Sequence, residues 1–204
     1  MTIAATDGFR LSEKTIKVKG PDKKFTTVIP AKTFLEIARI FATYEEPIEM
    51  VLDENENLVL FKSGETLTAT RILEGQYPDY KKIIPTEHTL KAIFSSEEFL
   101  EAVKLSSIFA KEGDNRMKLG FYPDEACIRV SSLEVESGEH ESEFSAEIEG
   151  EFVEVAFNSK YLLDFLNNIK TETVLFNTSG NVTPCTLKPK ELEDFIHVIM
   201  PIQI

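Results

Sequence analysis

The sequence predicts an α+β protein of antiparallel sheets and amphipathic helices, organised as two related parts. Three observations carry this expectation. Short runs rich in Val, Ile, Leu and Thr are separated by turn-forming residues, three stretches space their apolar residues as a helix does, and one helix-bearing stretch recurs later in the chain.

Taken in order, Asp7-Gly8 in "ATDGFRLS" marks a turn, from which Phe9, Arg10 and Leu11 lead into a strand. "VIPAKTFLEIARIFA" reads as a helix, with Pro30 suited to the first turn and Phe34, Ile37, Ala38 and Phe41 on one face. "IEMVLD", "NLVLFK" and "TLTATRI" follow, separated by "ENEN" and "SGE", as in an antiparallel meander. "EGQYPDYKKIIP" is a turn-rich connector, and a boundary is expected near residue 86. Then come a strand at "TLKAIFS", a helix at "SEEFLEAVKLSSIFAK" opened by Ser95 and Glu98 at capping-box spacing, and four strands around "MKLGFY", "ACIRVSS", "ESEFSAEIE" and "FVEVAF". A third helix, "SKYLLDFLNNIK", and strands at "TVLFN", "PCTLK" and "IHVIMP" complete the chain.

"VIPAKTFLEIARI" aligns without gaps on "AFNSKYLLDFLNN", setting Lys32 over Lys160, Leu35 over Leu163 and Ile37 over Phe165, each pair 128 positions apart. An offset of that length points to duplication of a whole domain. Residues 87–204 then hold a complete unit with two helices, and residues 1–86 the later part of another. Each helix carries a polar stripe: Lys32, Glu36 and Arg39; Glu101, Lys104 and Lys111; Lys160, Asp164 and Asn167. One such stripe by itself reads as a solvated face.

Composition narrows the function. The 204 residues are 42% hydrophobic, enough for an ordinary core, and carry a net charge of −13. That charge argues against wrapping nucleic acid with the whole surface. Residues 1–86 hold 12 basic and 13 acidic side chains, leaving 10 and 22 for the remainder, so the excess acid lies in the second part. Cys127 and Cys185 make neither a disulfide framework nor a zinc spacing, and without a signal sequence or an apolar span a cytoplasmic protein is expected. There is no phosphate loop, dinucleotide fingerprint, nucleophile elbow or metalloprotease motif, and His88, His140 and His197 stand far apart. No catalytic residue, metal or cofactor is expected. The glutamate ladder from Glu139 to Glu151 lacks the order of a calcium loop and reads as the wet face of a hairpin.

Three stretches together, "ATDGFRLS", "EGQYPDYKKIIP" and the apolar ending "VIMPIQI", resemble the bacterial DNA sliding clamps, the beta subunits of DNA polymerase III, in identity and order along the whole chain. The resemblance implies a sliding-clamp fold, with antiparallel sheets outside and helices lining the inner face. It also implies that residues 1–86 are the last two thirds of the middle domain and 87–204 the entire third domain. It implies a non-catalytic processivity factor that surrounds duplex DNA without reading sequence, as a homodimeric ring in the full-length protein. Its partners would be the replicative polymerase catalytic subunit, the clamp loader, repair polymerases and mismatch repair proteins. Because rings of this family close through the first domain, a chain lacking it is not expected to close one alone.

Carried over position by position, the resemblance places a partner-peptide groove at Thr6, Gly8, Phe9, Arg10 and Leu11, at Pro78, Lys82 and Ile83, and at Val198, Met200, Pro201 and Ile202, with Asn158, Tyr161, Val182 and Pro184 beside them. Lys32 and Arg39 match inward, DNA-facing positions best, followed by Lys104, Lys111 and Lys160. The chain departs from the usual pattern at Phe9, where many clamps have His, at Lys82, where many have Arg, and at its Ile-Gln-Ile ending. Two other classes stay open: a stand-alone regulator or decoy using the same groove, and a small-molecule enzyme, to which the motif search gives little support.

Overall fold

The computed structural model describes residues 1–20, 25–110, 114–133 and 140–203. Contacts divide the chain into two compact units, Lys19–Asp79 and Met1–Val18 with Tyr80–Ile204.

In Lys19–Asp79, helix α1 (Ala31–Ile40) accompanies a three-stranded antiparallel meander of β3 (Glu49–Asp53), β4 (Leu58–Ser63) and β5 (Thr66–Arg71). Pro30 sits at the N-cap rather than inside the first turn, and its carbonyl accepts from Thr33 N at 2.9 Å. Ile37 and Phe41 from the helix meet Val59 and Phe61 from β4, the central strand, and these four are the unit's buried cluster. Alternation along β4 turns every second residue toward α1, which is the two-residue period of a half-buried strand.

The larger unit is one antiparallel sheet which, among the described residues, has ten strands in the order β1-β2-β13-β12-β11-β6-β9-β8-β7-β10. Their ranges are β1 Thr2–Thr6, β2 Arg10–Thr15, β6 Leu90–Ser95, β7 Arg116–Tyr122, β8 Cys127–Ser132, β9 Glu141–Glu149, β10 Val153–Asn158, β11 Thr173–Thr178, β12 Cys185–Pro189 and β13 Phe195–Ile199. Helices α2 (Ser96–Phe109) and α3 (Ser159–Asn168) pack on each other and on the sheet. Ser95 Oγ accepts from Glu98 N at 3.4 Å and so caps α2, as its spacing predicts; Asn158 Oδ1 caps α3 by accepting from Lys160 N at 3.0 Å. Phe99, Phe121, Phe157, Phe176, Leu162 and Leu187 fill the interior, each almost wholly buried.

The first strands join the last. β2 pairs with β13 from Arg10↔Ile199 to Lys14↔Phe195, so residues far apart in sequence share a sheet. β9 bridges its two halves, pairing with β6 on one side and β8 on the other. At Gly150, φ is +123° and a Cβ would lie 2.3 Å from Thr89 O, so only glycine fits where the chain leaves β9. Glu141, Glu143, Glu147 and Glu149 all point to water, as a hairpin face should. Glu139 lies outside the described residues. Among the described residues no helix is long and apolar enough to cross a membrane.

Candidate functional site

The turn between β1 and β2 is built by its own side chains. Asp7 Oδ1 accepts from the backbone N–H groups of Phe9 and Arg10, each at 3.0 Å, while Thr6 Oγ1 accepts from Gly8 N at 3.1 Å and donates to Arg10 O at 2.8 Å. Gly8 takes φ +90°, which lets the chain reverse. Partial burial raises the Asp7 carboxyl, but the Phe9 and Arg10 amides and the Arg10 guanidinium more than offset it and hold its pKa below the usual carboxylate range.

From this turn the Arg10 side chain reaches helix α3. Its Nε meets Asp7 Oδ2 at 3.0 Å, its Nη1 meets Asp164 Oδ2 at 2.7 Å, and the guanidinium carbon lies 4.6 Å from the Tyr161 ring centroid. Desolvation works against the charged form, yet the two carboxylates raise its pKa overall. Phe9 stacks on the other partner of that group, Tyr161, with centroids 6.2 Å apart and planes 24° apart, and is 60% exposed.

The apolar ending runs into the same place. β13 stops at Ile199, after which Met200 N donates to Phe9 O at 2.9 Å and Ile202 N donates to Ala156 O on β10 at 2.8 Å. Met200 and Ile202 are therefore held by backbone hydrogen bonds, with Pro201 between them, yet all three are only half-buried. Leu11 and Val198, a cross-strand pair, are 3% and 1% exposed and can supply only the floor. Asn158 stands beside the Ala156–Ile202 bridge as the cap of α3.

Lys82 and Ile83 lie in a short 3-10 turn, Tyr80–Ile83, tied to β2 through Glu13: Tyr80 Oη donates to Glu13 Oε2 at 2.5 Å and Lys81 Nζ to Oε1 at 2.7 Å. Ile83 is 47% exposed. Val182, 59% exposed, and Pro184 belong to the loop before β12. Pro78 belongs to the other unit. Fifteen of the sixteen sequence-derived groove residues thus fall in the larger unit, where hydrogen bonds and ring contacts join the turn, the ending and the start of α3.

The candidate cations divide between units. Lys32 and Arg39 are exposed on α1, and Arg39 Nη1 contacts Glu36 at 2.8 Å; Lys104 on α2 and Lys160 on α3 are exposed in the larger unit. Lys111 lies outside the described residues.

Sequence reasoning missed three features. Asp164, which in sequence is one member of a polar stripe, anchors Arg10, and residues 154 positions apart leave no local signal of their pairing. His197 is 4% exposed, stacked on Phe165 at 5.0 Å with Nδ1 2.8 Å from Ser12 Oγ; burial, and then the nearby Arg10, push its pKa down to about 4. A cavity of about 380 Å³ lies elsewhere on the unit, where Lys81 is matched by Glu13 and Lys14 by Asp194. Glu125, Cys127 and Glu143 also cluster within ligand reach of one another, but Arg129 already pairs with both carboxylates.

Comparison with known proteins places this geometry. Residues 1–79 match the model of the DNA polymerase III beta subunit central domain, and residues 81–203 that of its C-terminal domain. The chain is 32% identical over 201 residues to a beta sliding clamp of Staphylococcus aureus, covering 98% of this chain and 52% of that protein; for Bacillus subtilis the figures are 32% over 202 residues, 98% and 53%. The solved B. subtilis sliding clamp superposes with a TM-score of 0.92 over 98% of this chain and 53% of that one, at 32% identity. The beta subunit from Pseudomonas aeruginosa gives 0.92 over 100% and 55%, at 25% identity. The chain spans about half the length of the curated relatives it matches.

Proposed function

Because the chain belongs to the DNA polymerase III beta subunit family, the bacterial sliding clamps, we propose that it acts without catalysis, as part of a clamp that tethers replication and repair proteins to duplex DNA through a peptide groove on its larger unit. Residues 1–79 then correspond to the later part of the middle clamp domain and 81–203 to the third, a boundary a few residues before the one expected near residue 86.

One observation carries the groove. The apolar ending is pinned to the Phe9 carbonyl and to β10 while Phe9, Ile83 and Val182 remain about half or more exposed and Met200 and Ile202 half-buried. An ordered apolar surface of this kind suits an extended peptide whose Leu or Phe side chains gain about 1.5–3 kcal/mol each when fully buried. Met200 adds an adaptable wall, which fits a site serving a polymerase, a clamp loader and repair proteins in turn.

The cations fit a loose hold on DNA. A ring that slides needs weak, sequence-blind phosphate contacts, since every firm contact adds salt-dependent affinity. Lys32, Arg39, Lys104 and Lys160, few and exposed on an otherwise acidic chain, suit that task.

The test is fluorescence anisotropy of a labelled Gln-Leu-x-Leu-Phe peptide titrated with the chain. Saturable binding is expected, weakened about tenfold by Met200→Ala, which removes roughly one kcal/mol or more of apolar contact. Leu11→Ala is a poorer probe because Leu11 is core. No binding by folded protein, or binding indifferent to Met200, overturns the groove.

A further inference from the structure

We propose that Asp164 is a positioning residue for the groove: by holding the Arg10 guanidinium against α3 it sets the Asp7-Gly8 turn so that Phe9 and Tyr161 form an aromatic rim that selects apolar or aromatic peptide side chains. This rests on the groove reading given above and deepens it.

The arrangement is a chain of fixed attachments. Asp7 uses one oxygen to order the backbone of its own turn and the other to hold Arg10 Nε at 3.0 Å, so the guanidinium is oriented before it reaches the helix. Tyr161 and Asp164 lie three residues apart on α3 and therefore on one face. The guanidinium can lie over the ring, 4.6 Å from its centroid, while Nη1 reaches Asp164 Oδ2 at 2.7 Å. A flat cation held on a ring by a carboxylate restricts the turn in two directions at once. Phe9 follows directly in the chain, with its own carbonyl taken by Met200 N, and comes to rest against Tyr161.

The chemistry of the ligand follows. Arg10 has carboxylates on two of its nitrogens and an aromatic face beneath it, so it is a poor hook for an acidic peptide side chain. What the rim offers is ring surface, most of it on Phe9, which is 60% exposed. An aromatic or aliphatic side chain can cover that surface, whereas a carboxylate there would lose water without gaining a free cation.

Anisotropy titration of the labelled Gln-Leu-x-Leu-Phe peptide against the 204-residue chain and its Asp164→Ala, Asp164→Glu and Phe9→Ala variants tests this. Asp164→Ala is expected to weaken binding about fivefold, in line with a charged contact near the surface, and Asp164→Glu to restore part of it. In the Phe9→Ala background, Asp164→Ala should add nothing, because the ring it positions is gone. The Arg10 Nε–Hε signal in a nitrogen–proton correlation spectrum should be distinct in the parent and shifted or broadened by Asp164→Ala. Equal binding by the parent and Asp164→Ala overturns the role of Asp164 alone, as does an undiminished loss in the Phe9→Ala background. Absence of binding by the folded parent overturns the groove reading and this role with it.

Discussion

Helices α1 and α3 carry the two stretches that align without gaps 128 positions apart, yet they are covered very differently. Ile37 and Phe165 are equivalent and both buried, but Leu35 is 60% exposed while its counterpart Leu163 packs against the core of the larger unit. α3 has α2 beside it and ten strands in its sheet; α1 has a three-stranded meander and, among the described residues of its unit, no second helix. The same apolar spacing therefore yields a full core in one unit and, among the described residues, four buried apolar side chains in the other. Periodicity shows that a face needs covering, without showing what covers it.

The sharpest way to break the comparison is to damage one core and watch the other. Phe176 is fully buried between Phe121, stacked at 4.6 Å, and Phe157, edge-on at 6.2 Å. Phe176→Ala should lower the stability of the larger unit by about 3–5 kcal/mol. Native-state hydrogen exchange should show amide protection falling in β6, β11 and α3 but not in α1 and β4. An equal fall in both would mean that the two units are one cooperative block.

A pH titration separates the units next. His197 belongs to the larger unit alone, and its folded pKa of about 4 lies below the ordinary imidazole value of 6.5. The fold favours the neutral ring, so the stability it contributes is complete above pH 6.5 and declines as pH falls from there toward 4. The loss amounts to about 3 kcal/mol at most. Urea midpoints of the larger unit across this window should fall, and His197→Gln should flatten the decline. A slope unchanged by the substitution would assign it to the carboxylates.

Leu163→Ala and Leu35→Ala make the matched pair. The first should cost roughly 1–2 kcal/mol, because Leu163 is half-buried against the core, and the second less than about 0.5 kcal/mol. Equal costs in urea denaturation would show that Leu35 is covered as fully as Leu163.

How far the sequence foretold this can be judged from particular residues. "ESEFSAEIE" coincides with β9 because its alternation is complete, and the cap at Ser95 lies where its spacing to Glu98 puts it. β1, "TIAAT", escaped notice because it is short and Ala-rich and owes its place to pairing with β2 alone. The Asp7-Gly8 turn, which the proposed groove uses, was legible as a motif because such a turn is encoded locally. The Arg10–Asp164 pair and the union of β2 with β13 were not, because both are long-range contacts that no window of sequence contains.

The smallest effect tests the repeat where function would use it. Lys32 and Lys160 are equivalent positions on α1 and α3, both exposed. If both helices face DNA in the assembled clamp, each lysine contributes one loose phosphate contact, and neither reads a base. Lys32→Ala and Lys160→Ala should then each reduce the slope of log affinity against log salt by about one unit, uniformly across DNA sequences, in duplex-binding titrations. Arg39 should count for less, because Glu36, 2.8 Å away, already offsets its charge. A change at Lys160 without one at Lys32 would mean that the duplication preserved the helix but not its task, and a sequence-dependent loss at either would sink the sliding reading for that helix.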